Sequence, residues 1–267
     1  MQFYKLSGSG NDFVLFDNRD GALAGDLSGL VQKACARRIG IGADGVLLIE
    51  HSDKADFRMR YLNADGGEAD FCGNGGRCIA YLAHRLGAAG ESMRFEANDG
   101  PHQASVDGTT VRLRMADPSD ISLAFLLEVE GKGYAASFAN TGVPHVVVQV
   151  AEVAGFDVVG VGRQIRHHER YQPQGTNANF IEMVNRHRIR IRTYERGVED
   201  ETLACGTGST AAAVVSALRG LVEQPVECLT QGGELLTVYL KINGDKVSNV
   251  YLEGQVELVF TGEWAEI

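Results

Sequence analysis

The chain has 267 residues, enough for one large domain or two of roughly 130 residues each. Its 44% apolar and 22% charged content is ordinary for a globular protein and excludes global disorder. A net charge of −10 argues against nucleic acid or an anionic membrane as partner, and the longest apolar runs, such as 211–215, are far too short to span a bilayer.

In chain order, FVLFDN (13–18) predicts a strand, LSGLVQKACARRI (27–39) a helix, and GVLLIE (45–50) and FRMRYLN (57–63) two further strands. After Cys72 a second helix is expected over 75–86, then a strand-rich tail, SVDGTTVRLRM (105–115). The same order returns with the strand HVVVQV (145–150), the helix VGRQIRHHERY (161–171) and the strands ANFIEMV (178–184) and RIRIRTYE (188–195). A helix over 208–218 follows Cys205, and LLTVYLKING (235–244) and VYLEGQVELVF (250–260) read as closing strands. The opening MQFYKLSGSGNDF has no basic region followed by an apolar run. Five cysteines form no disulfide framework, so the expectation is a reducing, cytoplasmic setting.

This recurrence is an internal repeat at an offset of 132 to 133 residues. RMRYLNADGGEADFCGNG (58–75) faces RIRTYERGVEDETLACGTG (190–208), with one extra residue in the second copy before its cysteine. Further upstream, Asp44 and Asn177 each lie 28 residues before their cysteine, and Gly10 and Gly142 lie 62 and 63 before theirs. The expected fold is therefore α+β, two pseudo-symmetric domains with a boundary near Asp117 and Pro118. A curved, antiparallel-rich sheet wrapped around a central helix suits each copy, because Ala80, Ala83 and Ala211 to Ala213 permit close approach.

Cysteine is usually a small core residue, and Cys35, Cys78 and Cys228 are read that way. Cys72 and Cys205 differ, since each precedes Gly-x-Gly at the start of a predicted helix. There the unpaired N–H groups and the helix dipole stabilise a thiolate and can also bind a carboxylate. Two such cysteines at matching points of a repeat suggest a pair facing each other across a cleft. The chemistry that needs them is inversion of a carbon bearing an amino group and a carboxylate, with one thiolate as base and one thiol as acid. No zinc spacing, thioredoxin motif, P-loop or Rossmann fingerprint occurs, so neither metal nor nucleotide is expected. A thiol hydrolase with His145 as base stays open, but it leaves the second cysteine without a role.

GSGNDFVLFDN, GADGVLL, NADGGEADFCGNGGRC and YERGVEDETLACGTG, with their spacing, resemble the diaminopimelate epimerase family over essentially the whole chain. The cysteine pattern is shared more loosely with proline racemase-like enzymes. The resemblance implies epimerisation between LL- and meso-diaminopimelate without a cofactor, and a homodimer. It also implies passage of the last strand, about 258–267, back into a first domain of 1–117, with 118–257 forming the second. By motif, Cys72 and Cys205 would be the acid/base pair. Gly73 and Asn74, and Gly206 and Thr207, would hold the reacting carboxylate. Asn11, Asn63, Asn177, Glu195 and Arg196 would read the far end of the substrate, and His145 and Glu195 would tune the thiols. Two departures stand out: many members carry Asn at the position of Val143 and Gln at that of Gly45. A racemase acting on another amino acid and a binding protein that has lost catalysis are the alternatives. Arg196 and Asn63 argue against the first, since a substrate without a distal carboxylate would leave the arginine unpaired.

Overall fold

Runs such as FVLF and VLLI, apolar at every position, need cover on both faces of their strands. A computed structural model, which describes residues 1–69 and 71–265, shows that cover. The elements begin with β1 (Gln2–Gly8), β2 (Asn11–Asp17), α1 (Ser28–Cys35), β3 (Gly45–Glu50), β4 (Phe57–Asn63), β5 (Glu68–Ala69) and α2 (Gly73–Arg85). They continue with β6 (Ser92–Ala97), β7 (Gly100–Asp107), β8 (Thr110–Arg114), β9 (Ser119–Val129), β10 (Lys132–Asn140), β11 (Pro144–Gln149) and α3 (Val158–His167). The last are β12 (Asn177–Asn185), β13 (Arg188–Glu195), β14 (Asp200–Thr202), α4 (Gly206–Leu218), β15 (Val226–Leu229), β16 (Leu235–Asn243), β17 (Lys246–Gln255) and β18 (Glu257–Glu263).

The chain divides into two units, one formed by Met1–Leu113 with the segment from Gly254 onward, the other by Arg114–Glu253. In the first, β18, β1, β2, β3 and β4 are successive neighbours, β4 pairs with β5 and β6, and β6, β7 and β8 complete the ladder. The second unit repeats every step as β9, β10, β11, β12 and β13, then β14 and β15 against β13, then β16 and β17. In each unit only two of these neighbours run parallel, β2/β3 and β4/β6 in the first, β11/β12 and β13/β15 in the second. Parallel strands need a crossover, and α1 to α4 lie in those four connections. The C-terminal strand β18 thus takes beside β1 the place that β9 takes beside β10.

Alternation along the double-covered strands divides each core in two. Val14, Phe16, Val46 and Leu48 pack with Val31, Ala34 and Cys35 of α1. The intervening Phe13 and Leu47 lie against α2, where a Cβ on Gly75 would sit 3.4 Å from the Phe13 ring and 3.5 Å from Leu47. In the second unit Val146, Val148, Ala178 and Phe180 pack with Val158 and Ile165 of α3. From Gly208 to Ser216, α4 is buried on all sides, which its glycine, serine and alanine run permits.

Several details depart from expectation. Helix α1 stops at Cys35 rather than 39, because Ala36 leaves helical geometry and Arg38 adopts a positive φ of 78°. The resulting turn swings Arg37 back onto Asp12 and Asp44. Helix α3 starts at Val158, where Asp157 accepts the Gly160 N–H at 2.9 Å, and ends at His167 before a single 3-10 turn, Glu169–Tyr171. The tail 105–115 is a hairpin of β7 and β8, and 250–260 is split between β17 and β18. The returning strand ends at Glu263, and residues 266 and 267 of its expected span lie outside the described residues. The repeat register also shifts by one: Phe13 pairs with Gly45 in β3, and His145 pairs with Asn177 in β12, so Gly45 rather than Asp44 matches Asn177.

Candidate active site

Both central helices begin at the cysteine itself. Cys72 (φ −135°, ψ 122°) and Cys205 (φ −129°, ψ 114°) are extended N-caps, and α2 and α4 start at Gly73 and Gly206, not at 75 and 208. The first helical hydrogen bonds run from Gly76 N–H to the Cys72 carbonyl (2.7 Å) and from Ser209 N–H to the Cys205 carbonyl (2.9 Å). The N–H groups of residues 73–75 and 206–208 therefore precede the helical ladder, although the Cys72 side chain, unlike that of Cys205, accepts no capping hydrogen bond from them. At Cys205, Sγ accepts the Gly208 N–H at 3.4 Å and lies 3.4 Å from Thr207 Oγ1. Donation to sulfur from a helix N-terminus favours the thiolate.

In the first unit a directed chain of amides stands beside Cys72. Asp44 Oδ2 accepts from Asn11 Nδ2 (2.9 Å), Asn11 Oδ1 accepts from Asn74 Nδ2 (2.7 Å), and Asn74 Oδ1 accepts from Arg77 (2.9 Å). Arg77 also donates to Ser9 Oγ at 2.7 Å. A carboxylate only accepts and a guanidinium only donates, so both amides have one allowed orientation. Asp44 is fixed in turn by Arg37 (2.9 Å), which also binds Asp12 (2.7 Å). Burial pushes the Asp12 carboxyl up, but hydrogen bonds from Arg37 and Lys5 outweigh it and hold the group below its ordinary value. Asn63 stands apart, exposed at the end of β4 opposite Gly45. A Cβ on Gly45 would lie 2.6 Å from the Tyr61 ring, so the tyrosine fills the space a longer side chain would need.

In the second unit the corresponding strand ends carry His145, Asn177, Glu195 and Arg196. Asn177 Nδ2 donates to the Pro144 carbonyl (3.1 Å), and its Oδ1 accepts the Arg196 N–H (2.8 Å), tying β11, β12 and the end of β13 together. Arg196 donates to the Gln174 carbonyl at 3.2 Å. Burial raises the Glu195 carboxyl, and the Thr202 hydroxyl on Oε2 (3.1 Å) opposes it. His145 is fully buried; burial and then the Arg196 charge push its imidazole down to about 3. Asn179 Nδ2 donates to His145 Nδ1 (3.1 Å) and to the Val146 carbonyl (2.9 Å), while Asn179 Oδ1 accepts from Thr193 (3.0 Å). This network assigns the ring proton to Nε2, which meets no acceptor among the described residues. So weakly basic a ring is a poor general base, which argues against the thiol-hydrolase alternative.

In the sequence Asp44 stands out only as a landmark of the repeat, and Asn179, Thr193, Thr202 and Ser9 carry no assigned role there. Asn179 had left a signal, as a polar residue inside the apolar run of β12. Among the described residues no three His, Cys, Asp or Glu side chains cluster as a metal ion would require, and no helix is long and apolar enough to cross a membrane.

Fold and site together define a class: α+β proteins built from two copies of one sheet-and-helix unit, each presenting a cysteine at its central helix. Solved structures share this fold along nearly the whole chain. A PhzF-family phenazine biosynthesis protein from Bacillus anthracis has a TM-score of 0.73 at 16% identity, covering 100% of this chain and 99% of its own. A probable proline racemase from Agrobacterium radiobacter K84 has a TM-score of 0.68 at 15% identity, covering 99% and 92%. The diaminopimelate epimerase family model matches residues 3–120 and 137–259. Curated diaminopimelate epimerases from Aquifex aeolicus and Chlorobaculum tepidum are 45% and 43% identical, over 100% and 96% of this chain and 98% of each relative. The chain belongs to the diaminopimelate epimerase family, isomerases of lysine biosynthesis.

Proposed function

We propose that this epimerase interconverts LL- and meso-diaminopimelate with Cys72 and Cys205 as its acid/base pair. One thiolate removes the α-proton from one face of the carbon while the other thiol delivers a proton to the opposite face. The reverse reaction exchanges the roles. The observation that carries the reading is the cysteine N-cap repeated in both units, with Cys205 Sγ at 3.4 Å from the Gly208 amide. Negative charge developing on the α-carboxylate is taken up by the N–H groups of Gly73 and Asn74, and of Gly206 and Thr207, without a cofactor.

Asn11, Asn63, Asn177, Glu195 and Arg196 read the distal amino-acid end, where amides and guanidinium donate to a carboxylate and Glu195 accepts from an ammonium. His145, neutral by burial, acts on the thiols through its dipole and not as a charge. We place the enzyme in the cytoplasm as a homodimer, with a small amino acid as substrate.

The test is LL-diaminopimelate in deuterated water with the parent, Cys72→Ala and Cys205→Ala. The parent forms the meso isomer with deuterium at the α-carbon. Each variant loses epimerisation by at least about 10²-fold, the contribution of a positioned acid or base. Full epimerisation by either variant removes that cysteine from the mechanism.

A further inference from the structure

The residue before Cys72 is held by an aromatic stack that the reaction itself does not use. Phe57, Phe95 and His102 are register partners across β4, β6 and β7. Their rings form a ladder, with Phe57 and Phe95 stacked at 5.0 Å and 6°, and Phe95 and His102 at 5.3 Å and 25°. Phe71 closes the ladder on His102, with ring centroids 3.8 Å apart and planes at 11°. His102 is itself held by Asp99, whose Oδ1 lies 2.8 Å from Nε2, and its side chain is only 13% exposed. The Phe71 ring also occupies the volume of a missing side chain on α2: a Cβ on Gly76 would stand 2.6 Å from Phe71 Cζ. Gly76 makes the first helical hydrogen bond of α2, to the Cys72 carbonyl. Phe71 is thus gripped between His102 and the turn that Cys72 caps.

We propose that His102 is a positioning residue for Cys72, clamping Phe71 against the first turn of α2 and so fixing where the thiol meets the α-carbon. This rests on the reading of Cys72 as one of the acid/base pair. Cross-strand aromatic pairs hold geometry as well as contributing stability, and stacked rings tolerate little lateral movement. Proton transfer from carbon is sensitive to that geometry, since a displacement of about 1 Å can cost on the order of 10²-fold in rate.

The stereochemistry of the reaction separates positioning from general destabilisation. One isomer presents its α-hydrogen to Cys72 and the other to Cys205. Each isomer, dissolved in deuterated water, gains deuterium without inverting when its thiolate takes the proton, the S–H exchanges with solvent, and the S–D returns a deuteron to the same face. Exchange into the two isomers therefore reports on the two thiols separately.

The experiment measures kcat, KM and α-hydrogen exchange into LL- and meso-diaminopimelate for the parent, His102→Ala, His102→Phe and Cys72→Ala. For His102→Ala we expect kcat to fall about tenfold with KM within about twofold. Exchange should fall for one isomer and persist for the other. His102→Phe keeps the stack and should restore kcat to within about twofold of the parent. If His102→Ala does not fold, Phe71→Leu leaves the three-strand ladder intact and is read the same way. A kcat unchanged in these variants, or exchange falling equally for both isomers, overturns the proposal while leaving Cys72 in place. Unimpaired epimerisation by Cys72→Ala instead overturns the acid/base reading, and this inference with it.

Discussion

The side-chain amide of Asn74 donates to Oδ1 of Asn11 at 2.7 Å, joining the first turn of α2 to the start of β2 across 63 residues of sequence. Because Asn11 also donates to Asp44, its amide has one N–H and its remaining oxygen lone pair left for a ligand, in a fixed direction. The binding reading of Asn11 thus depends on a carboxylate that touches it from behind.

Asp44→Asn should weaken substrate binding more than it slows turnover. The substituted amide offers one oxygen where the carboxylate serves Asn11, the Asp12 N–H and Arg37, so the donors compete for it and Asn11 is held less firmly from behind, although Asn74 still sets which way its amide faces. We expect KM to rise about tenfold, equivalent to ~1.4 kcal/mol, with a smaller change in kcat, measured by steady-state kinetics. An unchanged KM would show that Asn11 does not need Asp44 to hold it.

Two glycines in matching helices should respond oppositely to alanine. In an exposed helix Gly→Ala gains up to about 1 kcal/mol from backbone entropy. At Gly75 the new methyl would meet Phe13 and Leu47 at 3.4 to 3.5 Å, ordinary contact, so Gly75→Ala should keep or raise the thermal midpoint. At Gly208 it would stand 2.3 Å from Asn179 Oδ1, which is held by the Thr193 hydroxyl. Gly208→Ala should lower the midpoint and, by displacing the turn that donates to Cys205, reduce kcat. Thermal unfolding of both variants against the parent checks the sign.

The two cysteine caps were legible because Cys-Gly-x-Gly before a small-residue run is a local signal and the repeat doubled it. The register of the halves was legible to within one residue: the extra residue before Cys205 is visible in the sequence, but only the ladder partners, Gly45 opposite Phe13 and Asn177 opposite His145, show that it moves the match of Asn177 from Asp44 to Gly45. Strand β9 escaped notice for a physical reason. Asp120 and Ala124 have φ of 51° and 52°, breaking the two-residue alternation that marks a strand. Asp44 escaped because its partners, Asn11 and Arg37, meet it only through tertiary structure. The pairing of β18 with β1 joins opposite ends of the chain, which no local pattern encodes; only the family resemblance suggested it.

His145 should make the protein lose stability as pH falls. Its folded value, about 3, lies below the ordinary 6.5, so the unfolded chain binds the extra proton between those limits. The stabilisation is complete above about pH 6.5 and is lost as pH drops toward 3, with a slope of at most ~1.4 kcal/mol per pH unit from one proton. Urea unfolding at pH 7, 6 and 5 should show a steeper decline for the parent than for His145→Gln, which cannot titrate. Parallel declines would mean that other groups dominate the acid limb.

Arg192 should be intolerant of lysine although the charge is kept. Its Nε and one terminal nitrogen donate to the two oxygens of Glu201, both at 2.6 Å, and its other terminal nitrogen donates to the carbonyls of Val153, Ala154 and Phe156 at 2.9 to 3.1 Å. The two side chains are 13% and 17% exposed, so the pair is largely desolvated. A lysine ammonium cannot span a bidentate carboxylate and three carbonyls from one point, and removing one partner of a buried pair costs about 3–5 kcal/mol. We expect Arg192→Lys to destabilise by an intermediate amount, roughly 2 kcal/mol, and Arg192→Ala by the full range. Glu201 lies in β14, on the segment between Glu195 and Cys205, so loss of the pair should also reduce kcat at temperatures where the protein remains folded. Chemical denaturation and turnover measured on the same preparations check both parts. Destabilisation with unchanged kcat would confine Arg192 to holding the fold, whereas a shared loss would show that the ion pair sets the path of the chain into Cys205.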